Sequence, residues 1–155
     1  MKVREAEREY LAAEASALSE QLPVGALRDA CAEMVVAVAS GEIPPELEGS
    51  MGDLLTLTLE TGRARVVHGR AGERALAALW RETPPGKEAL RGAENITEAL
   101  TALRGLPVTG IRLTATGPAS YAMSISAGDA EINLAFDRDG ARLRSVNVGA
   151  GGPGE

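Results

Sequence analysis

Ile111-Arg112-Leu113-Thr114-Ala115-Thr116, closed by Gly117-Pro118, and Tyr121-Ala122-Met123-Ser124-Ile125-Ser126-Ala127, closed by Gly128-Asp129, are the residues whose reading decides the fold. Ile111, Leu113 and Ala115 fall on one face of the first run, and Tyr121, Met123, Ile125 and Ala127 on one face of the second. A third run sets Ile132, Leu134 and Phe136 against Glu131, Asn133 and Asp137, and Asp139-Gly140 turns it into a fourth with Leu143, Val146 and Val148. Alternation with a period of two, bounded by Gly, Pro and Asp, marks half-buried antiparallel strands. These residues predict a four-stranded meander over 108–149 with one apolar and one small, polar face. Between Leu143 and Val146 the alternation slips, which predicts a bulge near Arg144-Ser145.

Upstream the period changes to that of helices. Val3 to Leu22 carries Leu11, Ala15, Leu18 and Leu22 on one stripe, with Glu5, Glu7, Glu9, Glu14 and Glu20 assigned to the other faces. Val24 to Ser40 carries Leu27, Cys31, Met34, Val35 and Val38, and Gly41 stands where a left-handed cap is wanted before Pro44-Pro45. Residues 47–67 admit two readings. Leu47, Met51, Leu54, Leu55 and Thr58 make a helical stripe, which is preferred, while Leu55-Thr56-Leu57-Thr58-Leu59 followed by Gly62 also fits a hairpin over 55–67. Glu73 to Glu82 predicts a short helix stopped by Thr83-Pro84-Pro85-Gly86. Asn95 with Glu98 resembles a capping box, so the last helix is expected to begin there and to end before Gly105 and Pro107.

The expected fold class is therefore α+β. A helical portion, 1–105, packs on one face of the meander and shares one core with it, and a glycine-rich tail, 150–155, reads as a frayed end or a linker. A chain of 155 residues buries enough surface to fold without metal or disulfide. One cysteine permits no internal disulfide, and no apolar run approaches the ~20 residues that cross a bilayer, so a soluble cytoplasmic setting is the expectation and membrane binding is not. The Asn95-Ile96-Thr97 sequon is then a product of composition.

Charge is unevenly placed. Residues 1–60 hold twelve acids and four bases, whereas 61–91 hold seven bases and three acids, within a net charge of −6. The basic segment supplies the candidate ligand-binding residues Arg63, Arg65, His68, Arg70 and Arg74, at a point where two elements are expected to meet. Guanidinium forks suit phosphates and carboxylates, so a small anion could be held there; the plainer reading pairs these arginines with the acidic first half of the chain. Nucleic acid is disfavoured by a pI near 4.9 and by an aromatic content of 3%.

No catalytic set assembles. Cys31 lies on an apolar helix stripe, where thiols are inert, and nothing places His68 beside it. One His and one Cys offer no metal-ligand spacing, and Asp137-Arg138-Asp139-Gly140 lacks the further ligands of a calcium loop. Gly149-Ala150-Gly151-Gly152 lacks the strand-before, helix-after context of a phosphate loop, so no cofactor is expected.

On the hairpin reading of 55–67, the order helices, hairpin, helices, meander, together with Val67-His68-Gly69-Arg70-Ala71, resembles that of cone-shaped NTF2-like domains, although residues 80–110 have no counterpart there. That resemblance implies a pocket between sheet and helices for a small ligand, for catalysis or for dimerisation. Two functions of different class follow. The leading one is a non-catalytic interaction or accessory protein that self-associates, with the charge asymmetry orienting the contact. The other is a protein, or enzyme, binding an anionic or amphipathic small molecule through the basic segment.

Overall fold

The computed structural model describes residues 1–149, and the tail 150–155 lies outside the described residues. Five helices come first: α1 (Glu5–Gln21), α2 (Ala26–Ser40), α3 (Pro45–Glu60), α4 (Arg63–Trp80) and α5 (Pro84–Thr101). Four strands follow, β1 (Val108–Gly117), β2 (Ser120–Ala127), β3 (Ala130–Asp137) and β4 (Gly140–Val148), in an antiparallel sheet of order β1-β2-β3-β4. The fold is α+β with N-terminal helices and a C-terminal meander. Two compact units divide the chain, Met1–Lys87 and Glu88 onward, so the boundary falls within α5.

In the first unit the apolar stripes close on one another. Leu11 and Ala15 of α1, Met34 of α2, Met51, Leu54 and Leu55 of α3, and Leu76 and Leu79 of α4 are all fully buried. Each such Leu or Met side chain contributes about 1.5–3 kcal/mol by leaving water. Gly41 ends α2 at φ 79°, the left-handed cap its position predicts. Residues 55–60 end α3 and 63–67 begin α4, with only Thr61 and Gly62 between them, so the hairpin alternative is corrected and the NTF2-like order that depended on it does not arise. The threonines yield to packing here: Thr58 is fully buried, and its hydroxyl donates to the Leu54 carbonyl at 2.9 Å, which satisfies it within the helix.

Two helix boundaries also differ from expectation. The helix expected over 73–82 begins at Arg63, so the basic segment lies on α4 rather than at a junction. Thr83-Pro84-Pro85-Gly86 opens α5 instead of only ending α4. Pro84 occupies the first helical turn, where proline is tolerated, and Thr83 Oγ1 accepts the Gly86 N–H at 3.4 Å as a cap.

In the second unit the register is regular where the sequence alternates. Ile111 faces Ile125, Leu113 faces Met123, and Ile125 in turn faces Ile132. The bulge sits where expected: Asn133 pairs with Ser145 and Leu134 with Leu143, leaving Arg144 as the extra residue. On the polar face Ser124 Oγ donates to Asn133 Oδ1 at 2.7 Å, and Asn133 Nδ2 donates to Ser145 Oγ at 3.2 Å, a ladder across three strands. Glu131 lies opposite Asn147, and Arg142 pairs with Asp137 at the β3–β4 turn.

Candidate functional site

The five basic candidates share one helix but not one site. Arg63 Nε donates to Glu14 Oε2 at 2.8 Å, and His68 Nε2 lies 2.7 Å from Glu14 Oε1. Glu14 is a residue of α1 whose side chain is 1% exposed, against 31% for Arg63 and 11% for His68. Thr58 Oγ1 lies 3.4 Å from Glu14 Oε2, and the Tyr10 ring meets the imidazole edge-on at 5.3 Å. Arg65 Nε approaches Glu73 of its own helix at 3.9 Å. Arg70 and Arg74 are exposed and form no ion pair among the described residues.

A break in α4 aims His68. Gly69 has φ 67° and ψ −169°, a region open essentially to glycine alone, so the helix turns immediately after the imidazole. Gly72 then passes close beneath His68: a β-carbon there would lie 2.2 Å from His68 Cβ and 3.3 Å from Tyr10 Cδ1. The two glycines let the chain fold back against its only histidine.

An ionised carboxylate only accepts hydrogen bonds, so the proton in the Glu14–His68 contact sits on Nε2. Arg63 meets the other oxygen of the same carboxylate, so Glu14 balances a guanidinium as well as holding the ring. No hydroxyl or thiol is hydrogen-bonded to the imidazole among the described residues. Cys31 is fully buried, and burial pushes its thiol pKa up, away from the reactive thiolate. Among the described residues no three His, Cys, Asp or Glu side chains group to hold a metal ion, and no helix is long and apolar enough to cross a membrane. The geometry is that of a polar clamp tying α1 to α4.

An open groove of ≈ 500 Å³ lies in the second unit, lined by Gly92, Asn95, Glu98 and Ala99 of α5 and by Arg142, Leu143 and Val146 of β4. None of the five basic candidates borders it. The same residues show where α5 runs: the half-buried positions Gly92, Ile96 and Ala99 form one stripe, and a β-carbon at Gly92 would lie 3.0 Å from the Ala141 carbonyl oxygen. Ile132 and Leu134 of β3 are accordingly buried at 0% and 3% exposure.

β1 is not covered. All ten of its residues are exposed, Ile111 at 67% and Leu113 at 59%. The sequence places both on the inward, apolar face, and the structure corrects their burial: α5 meets β4, with β2 and β3 standing between it and β1. β1 is also a sheet edge, so one row of its N–H and C=O groups is unpaired in the sheet.

No protein family, curated protein or solved structure matches the chain.

Sequence reasoning missed Glu14 by assigning it to the solvent side of α1. The signal was available. Glu14 stands three residues after Leu11 and four before Leu18, and Glu7 four before Leu11, so both acids occupy the stripe that packs inward; Glu7 is 4% exposed. The edge strand also has a sequence signal, because Arg112 is the one charged residue between Arg104 and Asp129.

Proposed function

We propose that this protein is a non-catalytic interaction protein that self-associates through its sheet unit. One observation carries the reading: β1 is an edge strand exposed along its whole length, with Ile111 and Leu113 more than half exposed. Edge strands left open in water are templates for strand addition, and main-chain bonding plus an apolar row is a recurrent mode of recognition.

The charge asymmetry plays a smaller part in this reading than composition implies. Arg63 and His68 are engaged by Glu14, and Arg65 lies near Glu73, so part of the basic segment is balanced inside its own unit. The same pairing withholds support from anion binding, because the five candidates do not converge on a cavity. The setting is a reducing, cytoplasmic one, which suits the single buried thiol.

The test is light-scattering mass on size-exclusion chromatography over ~5–200 µM protein, at low and at high salt, alongside thermal shifts with inorganic phosphate. A dimer favoured by concentration and surviving high salt is the expected result, since apolar and main-chain contacts are little screened. A monomer at every concentration, with a phosphate-dependent thermal shift that Arg65→Ala and Arg70→Ala abolish, refutes the proposal in favour of an anion-binding protein.

A further inference from the structure

We infer that the partner of β1 is β1 of a second copy, paired antiparallel about a two-fold axis at Leu113, so that two meanders join into one eight-stranded sheet. This rests on the self-association proposed above and specifies its surface and register.

The two edges of the sheet are built differently. β4 is guarded: Arg142 and Arg144 lie on it, and Arg144 is the bulged residue. Charges, bulges and covering helices are the devices that keep an edge from pairing. Between the register shifts near its two ends, β1 carries only Arg112 as a guard, and β2 behind it carries no charge at all. A strand of ten residues so exposed and so nearly uncharged is built to be covered.

β1 is complementary to itself about Leu113. Residues directly opposite in an antiparallel pair share a face, so a two-fold axis passes through a residue position. With the axis at Arg112, the two guanidiniums face each other across the pair, and like charges directly opposite are destabilising. With the axis at Leu113, Leu113 faces its counterpart, Ile111 faces Ala115, and Arg112 faces Thr114. Apolar then meets apolar on one face and the charges separate on the other. The backbone agrees, because pairing with β2 shifts register between Val108 and Gly110 and between Ala115 and Gly117. Ile111–Ala115, centred on Leu113, lies within the uninterrupted part.

Charge permits the approach. The described residues from Glu88 onward carry seven acids and six bases, so two sheet units meet without strong repulsion. Size sets the strength. The five uninterrupted residues make an edge about 17 Å long, or about 30 Å if pairing continues past the two register shifts, and at a sheet depth of about 10 Å this is on the order of 170–300 Å². The apolar row widens it, but it stays below the roughly 800 Å² per partner of a standard interface. A dimer with Kd in the micromolar range is expected.

The experiment is cysteine cross-linking of the full chain at ~200 µM under mild oxidation, with light scattering on the same samples; Cys31, fully buried, serves as the silent background. Leu113→Cys is expected to form a covalent dimer. Arg112→Cys is not, since residues 112 of the two copies are offset by two positions, about 8 Å apart. Ile111→Cys and Ala115→Cys are expected to cross-link when mixed, and neither alone. Thr114→Asp, which places a carboxylate opposite Arg112 of the other copy twice per dimer, should tighten association roughly threefold or more. A dimer in solution without the Leu113→Cys cross-link overturns this interface and leaves self-association standing. Cross-linking at Arg112 instead of Leu113 overturns the register, and a monomer at this concentration overturns both proposals.

Discussion

Replacing Glu14 by Gln probes the clamp between α1 and α4. Glutamine preserves the volume and one acceptor oxygen but removes the charge that faces Arg63 at 2.8 Å and His68 at 2.7 Å. Hydrogen bonds involving a charged group are worth about 1.5–3 kcal/mol each. Removing one partner of a fully buried ion pair costs about 3–5 kcal/mol, because the other charge is left uncompensated. Arg63 is 31% exposed and regains part of its hydration, which brings the expected loss to about 2–4 kcal/mol. In a unit of this size each kcal/mol moves the midpoint by about 4–8 °C, so a fall of roughly 8–32 °C is expected. Trp80, the only tryptophan, sits at the end of α4 with Nε1 donating to Thr56 Oγ1 at 2.9 Å, so its fluorescence reports this unit. Adding Arg63→Gln should recover part of the loss, because the orphaned cation goes with it; a double-mutant cycle isolates the coupling. A midpoint within 2 °C of the parent for Glu14→Gln would refute the view that this carboxylate balances the charges around it.

Three further outcomes follow from particular contacts. Gly69→Ala should cost about 1–3 kcal/mol through backbone strain alone, since nothing lies within 4 Å of the added methyl; an unchanged Trp80 unfolding midpoint would show that α4 straightens without penalty. Leu113→Lys should leave circular dichroism and thermal unfolding within about 0.5 kcal/mol of the parent, as a surface change does, yet give a monomer by light scattering at all concentrations. Asp137 accepts hydrogen bonds from Arg142 and from the Asp139 N–H, and the Arg142 bond above all holds its carboxyl below the usual aspartate value. Its support of the β3–β4 turn is therefore complete above about pH 4, the unfolded value, and is lost as pH falls through the lower folded one. The Asp139 amide resonance should follow that titration, and Asp137→Asn should abolish it.

Most of the fold was legible because alternation and stripes are local. Ile111 to Val148 could be read strand by strand, and even the bulge at Arg144 showed as a slip in phase. Helix boundaries were harder where one residue serves two roles. Thr83-Pro84-Pro85-Gly86 stops α4 and starts α5, and a breaker read in one direction hides the other. Gly69 gave no sign of its role, because a left-handed glycine inside a helix depends on what it must fold back against. Of the basic candidates, Arg63 and His68 do meet, but through an acid on α1 more than fifty positions before His68. Glu14 and Glu7 look like solvent residues by type and like core residues by position, and position prevailed because Arg63, His68 and Arg4 supply partners.

The exposure of β1 has a geometric cause that sequence pattern does not contain. Alternation says which side chains share a face and nothing about how much of that face is covered. The sheet unit has four strands at about 4.8 Å spacing and one helix about 10 Å across, enough for roughly two strands. The helix meets β4, where Gly92 lets it come within contact of the Ala141 carbonyl, while burial is greatest on the neighbouring β3 and least on β1. Ile132 on β3 is at 0%, while Ile111 on β1 is at 67%. One helix is too few for four strands, and the uncovered half is the half almost without charge. In the first unit the reverse holds: helices with an excess of acids close on one another, and even the buried acid Glu14 finds a counter-charge, Arg63, inside. The first unit leaves no comparable apolar row on a strand edge; on the meander Ile111 and Leu113 stand bare along an edge whose one charge is Arg112, and that contrast is what motivates the proposed pairing of β1 with β1.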